Sequence, residues 1–233
     1  MTIPHVKFIV DQKLDIENYL IGLKSYKGKL HSSSSDESKK YKRLLKISEP
    51  KRKSYFKKQL SSFYSVKNRK KLEEIQYDIQ KHWNSIEKKF FKIINKVFNK
   101  PFPYQSVKGV LSTANRFGYS TKNRWFATSI DKNKFYAADI AMHELTHFVF
   151  HHYFWKKCEN LGLKWRQVWD IKEATSVLLN LEFADLRLQP DKGYREHKKI
   201  REFITKQWRK NKDFEKILDK TCRFVATNKN LLK

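Results

Sequence analysis

The most informative stretch of this chain is residues 137–155, which read AADIAMHELTHFVFHHYFW. It contains no Gly or Pro, and apolar residues occur on every side of a helix drawn through it, which is typical of a buried helix. His143 and His147 are four residues apart, so both imidazoles lie on one face, where they can bind a single zinc ion. Glu144 is placed beside such an ion and can take a proton from a metal-bound water. The stretch therefore predicts a buried helix that carries a catalytic zinc site, with one Zn²⁺ per chain.

The rest of the chain predicts a mostly helical α+β fold. At 233 residues it can hold one large domain, and aromatic residues, 15% of the total, are ample for a core. Short runs rich in β-branched and aromatic residues occur at 6–10, 108–114, 116–120 and 124–130, and residues 121–123 separate the last two as a hairpin loop would. We therefore expect a small antiparallel sheet that precedes the active-site helix.

Helical periodicity indicates the remaining elements. Asp15 is placed to cap a first helix that ends near Leu23. A long helical region is predicted at 54–99, with an interruption near 65–68. Three further helices are expected after the active-site helix, at about 166–188, 194–209 and 213–227.

The excess positive charge lies outside the central region. The net charge is +27, but residues 125–190 carry eight basic and eight acidic residues, whereas 1–124 and 191–233 carry net charges of +19 and +8. Such flanks can contact phosphate backbones or acidic partners. Because only 11 of the 51 basic residues are Arg, the residue that binds phosphate in a bidentate manner, we expect weak, nonspecific nucleic-acid contact. The densest basic clusters are at 39–46, 51–58 and 67–71.

Cysteine usage and hydropathy indicate a location. Cys158 and Cys222 have neither metal-ligand nor disulfide-framework spacing, which favours a reducing compartment. The N-terminal residues do not combine a basic region with a long apolar run, and no stretch reaches 18 apolar residues. We therefore expect a cytoplasmic protein that does not enter a membrane.

A zinc site of this kind needs a third protein ligand. The extended metzincin motif is excluded, because it needs Gly and His where this chain has Phe150 and Tyr153. The helix expected at 166–188 carries several carboxylates around one apolar stripe, and periodicity alone does not choose among them. The candidates are Asp170, Glu173, Glu182 and Asp185.

The chain resembles the gluzincins, thermolysin-like zinc metallopeptidases in which a Glu on a downstream helix completes the site. The resemblance covers about residues 107–208 and rests on HELTH at 143–147 and DIKEAT at 170–175. It implies that Glu173 is the third ligand, unless Asp170 and Glu173 form a capping box at a helix start. Thermolysin has an Asp four residues after its ligand Glu, where this chain has Val177. Carboxylate support for the zinc histidines is therefore expected from elsewhere, with Asp170 as the candidate.

The same resemblance implies further roles. Gluzincins use a Tyr or His beyond the third ligand to stabilise negative charge on the carbonyl oxygen, and Tyr194 and His197 are the candidates here. An ordinary half-exposed helix start is the alternative interpretation of these two residues. The substrate is expected to lie extended along an edge strand such as 124–130.

The implied organisation has two parts. Residues 1–100 form a basic, helical N-terminal region with a mobile segment near 24–53, and residues 101–233 form a compact zincin-like catalytic domain. The implied activity is zinc-dependent hydrolysis of a peptide or protein substrate, with Glu144 as the base. Two other classes remain open: a nucleic-acid-associated basic protein with a zinc site, and a binding protein that retains zinc without turnover.

Overall fold

A computed structural model describes residues 3–26, 42–131 and 133–228 of the chain. The fold is α+β and mostly helical, as predicted. Of the segment near 24–53 that was expected to be mobile, residues 27–41 lie outside the described residues. The α-helices are α1 (Gln12–Tyr26), α2 (Glu49–Leu60), α3 (Arg69–Phe98), α4 (Lys134–Tyr153), α5 (Trp155–Asn160), α6 (Trp165–Thr175), α7 (Val177–Glu182), α8 (Lys198–Lys210) and α9 (Phe214–Thr227).

The predicted interruption of the long helical region is present. A 3₁₀ turn at Val66–Asn68 separates α2 from α3, and Asn68 Nδ2 donates to the carbonyl oxygen of Ser62 just before it. Further 3₁₀ turns lie at Ala184–Leu186 and Arg195–His197. The last of these turns precedes α8 and carries His197, so the helix expected from residue 194 becomes α-helical only at Lys198.

The sheet is mixed, and the prediction of an antiparallel sheet is wrong for one pair of strands. Strands β1 (His5–Ile9), β2 (Ser106–Ser112), β3 (Tyr119–Ser120) and β4 (Trp125–Ser129) lie in the order β1-β2-β4-β3. The β3–β4 pair is antiparallel and has the expected hairpin, whereas β2 and β4 are parallel. Parallel neighbours need a crossover of about a dozen residues, and residues 113–124 supply it.

The expectation that 124–130 is an edge strand is wrong for the first part of this strand. Strand β4 pairs with β2 along its whole length on one side, and on the other side β3 pairs with Trp125 and Phe126. All five residues of β4 are buried. A substrate strand therefore cannot add along the whole length of β4.

The chain forms two compact units. One comprises Met1–His5, His82–Ser106 and Ala138–Lys233, and the other comprises Val6–Lys81 and Val107–Ala137. We refer to them as the helical unit and the sheet unit, respectively.

In the sheet unit, close packing surrounds β2. A Cβ atom at Gly109 would lie 2.6 Å from the Phe8 ring, so only Gly lets β2 approach that ring. Phe8 also packs edge-to-face against Phe126, with ring centroids 6.1 Å apart. Each such buried aromatic side chain contributes about 1.5–3 kcal/mol relative to exposure.

Asp15 does not cap α1 as predicted. The cap is Asp11, whose Oδ1 accepts hydrogen bonds from the backbone N–H groups of Lys13 and Leu14. Asp15 lies one turn inside the helix and is wholly buried. Its carboxylate accepts hydrogen bonds from Ser112, Thr113 and Tyr64.

In the helical unit, aromatic rings form the core around α4. The rings of Phe98, Phe154 and Phe214 contact one another, with centroids 4.6–5.9 Å apart. This packing lies next to the C-terminal end of α4, whose middle carries His143 and His147. No helix within the described ranges is long and apolar enough to cross a membrane.

Candidate metal centre

Helix α4 forms as predicted and is buried along most of its length. It begins where Asn133 Oδ1 accepts a hydrogen bond from the backbone N–H of Tyr136, a typical N-cap. Residues 144–150 are all buried, whereas the side chain of His143 is 21% exposed. The rings of His143 and His147 lie 4.5 Å apart between centroids, so the four-residue spacing places them together as expected.

Glu173 lies on α6, near the end of that helix. Helix α6 begins at Trp165, so Asp170 is in mid-helix and the capping-box alternative for Asp170 and Glu173 is wrong. Helix α6 ends at Thr175, and Ser176 lies between α6 and α7. The Ser176 hydroxyl donates a hydrogen bond to the carbonyl oxygen of Glu173. This arrangement holds the last turn of α6, which carries Glu173, in place.

The three side chains converge on one point. Glu173 Oε2 lies 3.6 Å from His143 Nε2 and 3.4 Å from His147 Nε2. All three ligand atoms lie within 4.8 Å of one another. Ligands bound at 2.0–2.1 Å to one tetrahedral zinc are about 3.3–3.4 Å apart. The donor set and its spacing therefore fit a zinc ion with three protein ligands.

The second oxygen of Glu173 is engaged by a buried lysine. Lys172 Nζ lies 2.6 Å from Glu173 Oε1, and its side chain is 1% exposed. This contact leaves only Oε2 directed at the histidines. Glu173 can then act as a monodentate ligand, which keeps a fourth coordination position open for water or substrate.

Glu144 has the environment that a general base requires. It is buried, and in the described part of the chain no donor lies within hydrogen-bond distance of its Oε2. Burial raises the pKa of Glu144 to about 7, although the nearby charges of His143 and Lys172 act in the opposite direction. A carboxyl with a pKa near neutrality can both accept and return a proton.

Asp191 orients His143, and the sequence did not identify it. His143 Nδ1 donates a hydrogen bond to Asp191 Oδ2 at 2.7 Å, which directs Nε2 toward Glu173. A carboxylate on the non-coordinating nitrogen is the usual support of a zinc histidine. The expectation that Asp170 supplies this support is wrong. No spacing rule could have indicated Asp191, because it lies 48 residues after His143.

Asp191 is itself held by three side chains. Arg201 Nη1 lies 3.0 Å from Asp191 Oδ1, and the Ser176 hydroxyl donates to the same oxygen. Asn180 exchanges two hydrogen bonds with the Asp191 backbone. A Cβ atom at Gly193, where φ is +60°, would lie 2.7 Å from the Arg201 guanidinium carbon. Gly193 therefore permits both the local turn and the approach of Arg201.

Asp139 holds the loop before Asp191 on α4. It lies one turn before His143, and its carboxylate accepts hydrogen bonds from the backbone N–H groups of Leu188 and Gln189. Asp139 and His143 therefore bind the same loop from one face of α4. This explains how an irregular segment can place Asp191 accurately.

The pKa values of His143 and His147 are shifted in opposite directions. Burial alone would lower the pKa of His143, but hydrogen bonds to Asp191 and Glu173 outweigh it and raise this pKa to about 10. Burial and the Lys172 charge lower the pKa of His147 to about 3. Burial would raise the pKa of Glu173, yet its contacts with His147 and Lys172 hold it well below the ordinary value. Without metal the site therefore contains a cationic His143, a neutral His147 and an anionic Glu173.

The other carboxylates considered for the third ligand are engaged elsewhere. Asp170 Oδ1 accepts a hydrogen bond from His197 Nε2 and lies 3.2 Å from Arg166 Nε. Glu182 accepts hydrogen bonds from Trp208 and Lys212. Asp185 is 86% exposed and pairs with Lys89. Among the four candidates, only Glu173 joins the histidines.

Tyr194 and His197 form a separate cluster. His197 is wholly buried, and its ring packs against Trp169 and Tyr194 with centroids 5.6 and 5.4 Å apart. Tyr194 is 45% exposed. The structure therefore groups these two residues with Trp169 and Asp170, which lie about one turn before Glu173 on α6.

No protein-family model matches this chain, and no curated protein and no solved structure is significantly similar to it.

Proposed function

We propose that this chain is a zinc-dependent metallopeptidase of the gluzincin type, with His143, His147 and Glu173 as the metal ligands. The observation that carries the proposal is the convergence of three ligand atoms at zinc-like spacing beside a buried carboxylate, Glu144. A site that only stabilised the fold would be closed by a fourth protein ligand. Here the fourth position adjoins a group suited to proton transfer.

The chain's own residues suggest how hydrolysis proceeds. A bound zinc would polarise the scissile carbonyl and acidify a water molecule. Glu144 accepts the water proton and delivers it to the leaving amine, which its pKa of about 7 permits near neutral pH. Asp191 keeps His143 oriented, and Lys172 keeps Glu173 monodentate.

A donor for the negative charge on the carbonyl oxygen is part of this proposal. Tyr194 is the better of the two candidates, because its ring is partly exposed whereas His197 is wholly buried. A buried imidazole that already donates to Asp170 does not reach a substrate in this conformation.

The substrate is proposed to be a peptide or protein, and the location is proposed to be cytoplasmic. The location rests on the two cysteines, which have no disulfide-framework spacing in the sequence. Their thiols lie 3.5 Å apart in the core, where they pack as small apolar side chains.

The test is Glu144→Gln in protein purified with zinc. The variant keeps the shape of the side chain but removes its basicity, so we expect about one zinc per molecule and a loss of about 10²–10⁴-fold in peptide hydrolysis. Hydrolysis of an unstructured peptide, beside elemental analysis, measures both. Glu182→Gln is the control, because Glu182 pairs with Trp208 and Lys212. The proposal would be defeated if elemental analysis found no zinc in the wild-type protein, or if Glu144→Gln hydrolysed the peptide as fast as the wild type.

A further inference from the structure

A groove of about 750 Å³ lies along α8 in the helical unit, and we call it the basic groove. Seven of its twelve lining residues are Lys or Arg, and one is a carboxylate, Glu202. The basic residues are Lys192, Arg195, Lys198, Arg201, Lys206, Arg209 and Lys210. A concave surface of one charge sign focuses the electrostatic potential and attracts oppositely charged ligands.

Most of these charges have no acidic neighbour. Arg201 binds Asp191, and Lys198 lies 4.0 Å from Glu202. For the other five basic residues, the described part of the chain places no carboxylate within ion-pair distance. Within the described part of the same unit some lysines are paired, as Lys157 is with Glu215 and Asp219, and others, such as Lys88 and Lys92, are not. The basic groove differs from an ordinary lysine-rich surface because five unpaired cations line one concave surface.

The spacing along α8 fits a linear chain of anions. Lys198, Glu202, Lys206 and Arg209 recur at helical spacing on the side that lines the groove. The distance from Lys198 to Arg209 is about 16 Å at 1.5 Å per residue. In duplex DNA each strand places one phosphate per about 3.4 Å of helix axis, and an extended single strand spaces them more widely, so this face spans at most about four or five phosphates.

Tyr194 distinguishes among anionic ligands. It lines the same groove and is 45% exposed. An exposed aromatic ring beside a row of cations can stack on a base, whereas inorganic polyphosphate and acidic peptides offer no base to stack.

We propose that the basic groove binds single-stranded nucleic acid, with its cations on successive phosphates and Tyr194 against a base. A single strand is favoured over a duplex, because the bases of a duplex are stacked on one another inside the helix, where an aromatic ring on the protein surface does not reach them. Three of the 11 arginines of the chain line it, and Arg is the side chain that binds phosphate in a bidentate manner. Nucleic-acid binding is inferred without reference to the proposed peptidase activity, although Tyr194 and Arg201 line the groove and also have roles in that proposal.

The experiment measures the fluorescence anisotropy of a labelled 12-residue oligothymidylate with the full chain, at several salt concentrations. Lys206→Glu/Arg209→Glu reverses two exposed groove charges that make no contact with the candidate metal centre. We expect at least 30-fold weaker binding and a salt dependence shallower by about two counterions. The control Lys88→Glu/Lys92→Glu on α3 changes the net charge equally at exposed positions, and we expect less than threefold weakening.

Tyr194→Ala is expected to weaken binding by about 5–100-fold, whereas Tyr194→Phe should retain it, because stacking needs only the ring. Equal losses in the groove and control charge reversals would show attraction by net charge alone and overturn the proposal. The proposal would also be overturned if Tyr194→Ala bound the oligonucleotide like the wild type and inorganic polyphosphate or polyglutamate competed as well as the unlabelled oligonucleotide. Circular dichroism establishes that each variant folds.

Discussion

Two buried carboxylate networks in this protein differ in what occupies their oxygens. In the sheet unit, Asp15 accepts hydrogen bonds from Ser112, Tyr64 and both the hydroxyl and the backbone N–H of Thr113, all neutral donors. In the helical unit, Oε2 of Glu173 faces the two imidazole Nε2 atoms at 3.4 and 3.6 Å. Oε2 of the neighbouring Glu144 has no hydrogen-bond partner among the described residues.

The difference separates a structural network from a binding site. A carboxylate that already accepts hydrogen bonds from several fixed donors has no capacity left for a ligand. Removing it leaves those buried donors without an acceptor. A carboxylate whose oxygen points to the same place as two imidazole nitrogens can still bind a ligand, because a metal ion can be coordinated by all three groups. Burial alone therefore does not identify a site, but the direction of the remaining lone pairs does.

The largest expected effect is that of Glu173→Ala. A supporting residue outside the ligand set contributes about 10–100-fold to metal affinity, so loss of a ligand should weaken zinc binding by more than 100-fold. The substitution also removes the carboxylate that neutralises the buried Lys172 ammonium, which should destabilise the metal-free protein by about 3–5 kcal/mol. Competition with a zinc chelator and urea denaturation measure the two effects.

Two variants make this result interpretable. Lys172→Met/Glu173→Ala should recover stability but not zinc binding, since the uncompensated charge is gone while the ligand is still missing. Glu182→Ala should bind zinc like the wild type, because Glu182 pairs with Trp208 and Lys212. Zinc retention in Glu173→Ala equal to that in Glu182→Ala would show that another group is the third ligand.

Asp15→Ala should have the opposite signature. It leaves the buried groups of Ser112, Thr113 and Tyr64 without their acceptor, and the free energy of unfolding should fall by about 3 kcal/mol. Zinc affinity per folded molecule should stay unchanged. Thermal denaturation with and without zinc provides both quantities. An Asp15→Ala variant that was as stable as the wild type but bound zinc more weakly would contradict the distinction between the two networks.

The smallest effect concerns the pH dependence of zinc binding. Zinc must displace the proton from His143 Nε2, and the pKa of His143 in the metal-free protein is about 10. Below that pH, binding releases this proton, so zinc affinity should rise about tenfold per pH unit between pH 7 and 9. In Asp191→Asn the carboxylate that raises this pKa is gone, and the rise should level off within the same interval.

Zinc affinities in metal buffers at pH 6 to 9 would show this difference. Asn180→Ala is a useful comparison, because Asn180 contacts only the backbone of Asp191 and leaves its carboxylate in place. That variant should retain the wild-type slope. Identical slopes in wild type and Asp191→Asn would contradict the assigned contact between Asp191 and His143.

Local pattern was sufficient for the parts of the site and fold that a single helix determines. His143, Glu144 and His147 follow from helical geometry, because residues four apart share a face. The burial of α4 and the interruption at Val66–Asn68 also follow from the distribution of apolar residues along the chain. Each of these features depends on residues that are close together in the sequence, so the periodicity of the sequence is enough to predict it.

Features that join distant segments required the tertiary structure. Periodicity alone did not choose among Asp170, Glu173, Glu182 and Asp185. The packing of α6 places Glu173, the residue that the resemblance implied, beside the histidines. The role of Asp191 depends on a loop held by Asp139 and Arg201, and the parallel β2–β4 pair depends on how residues 113–124 cross over. Helical spacing identifies the groups that can perform the chemistry and the helix that carries them. The carboxylates that meet these groups depend on how distant segments pack, because a side chain's spacing along its own helix contains no information about the partner that packs against it.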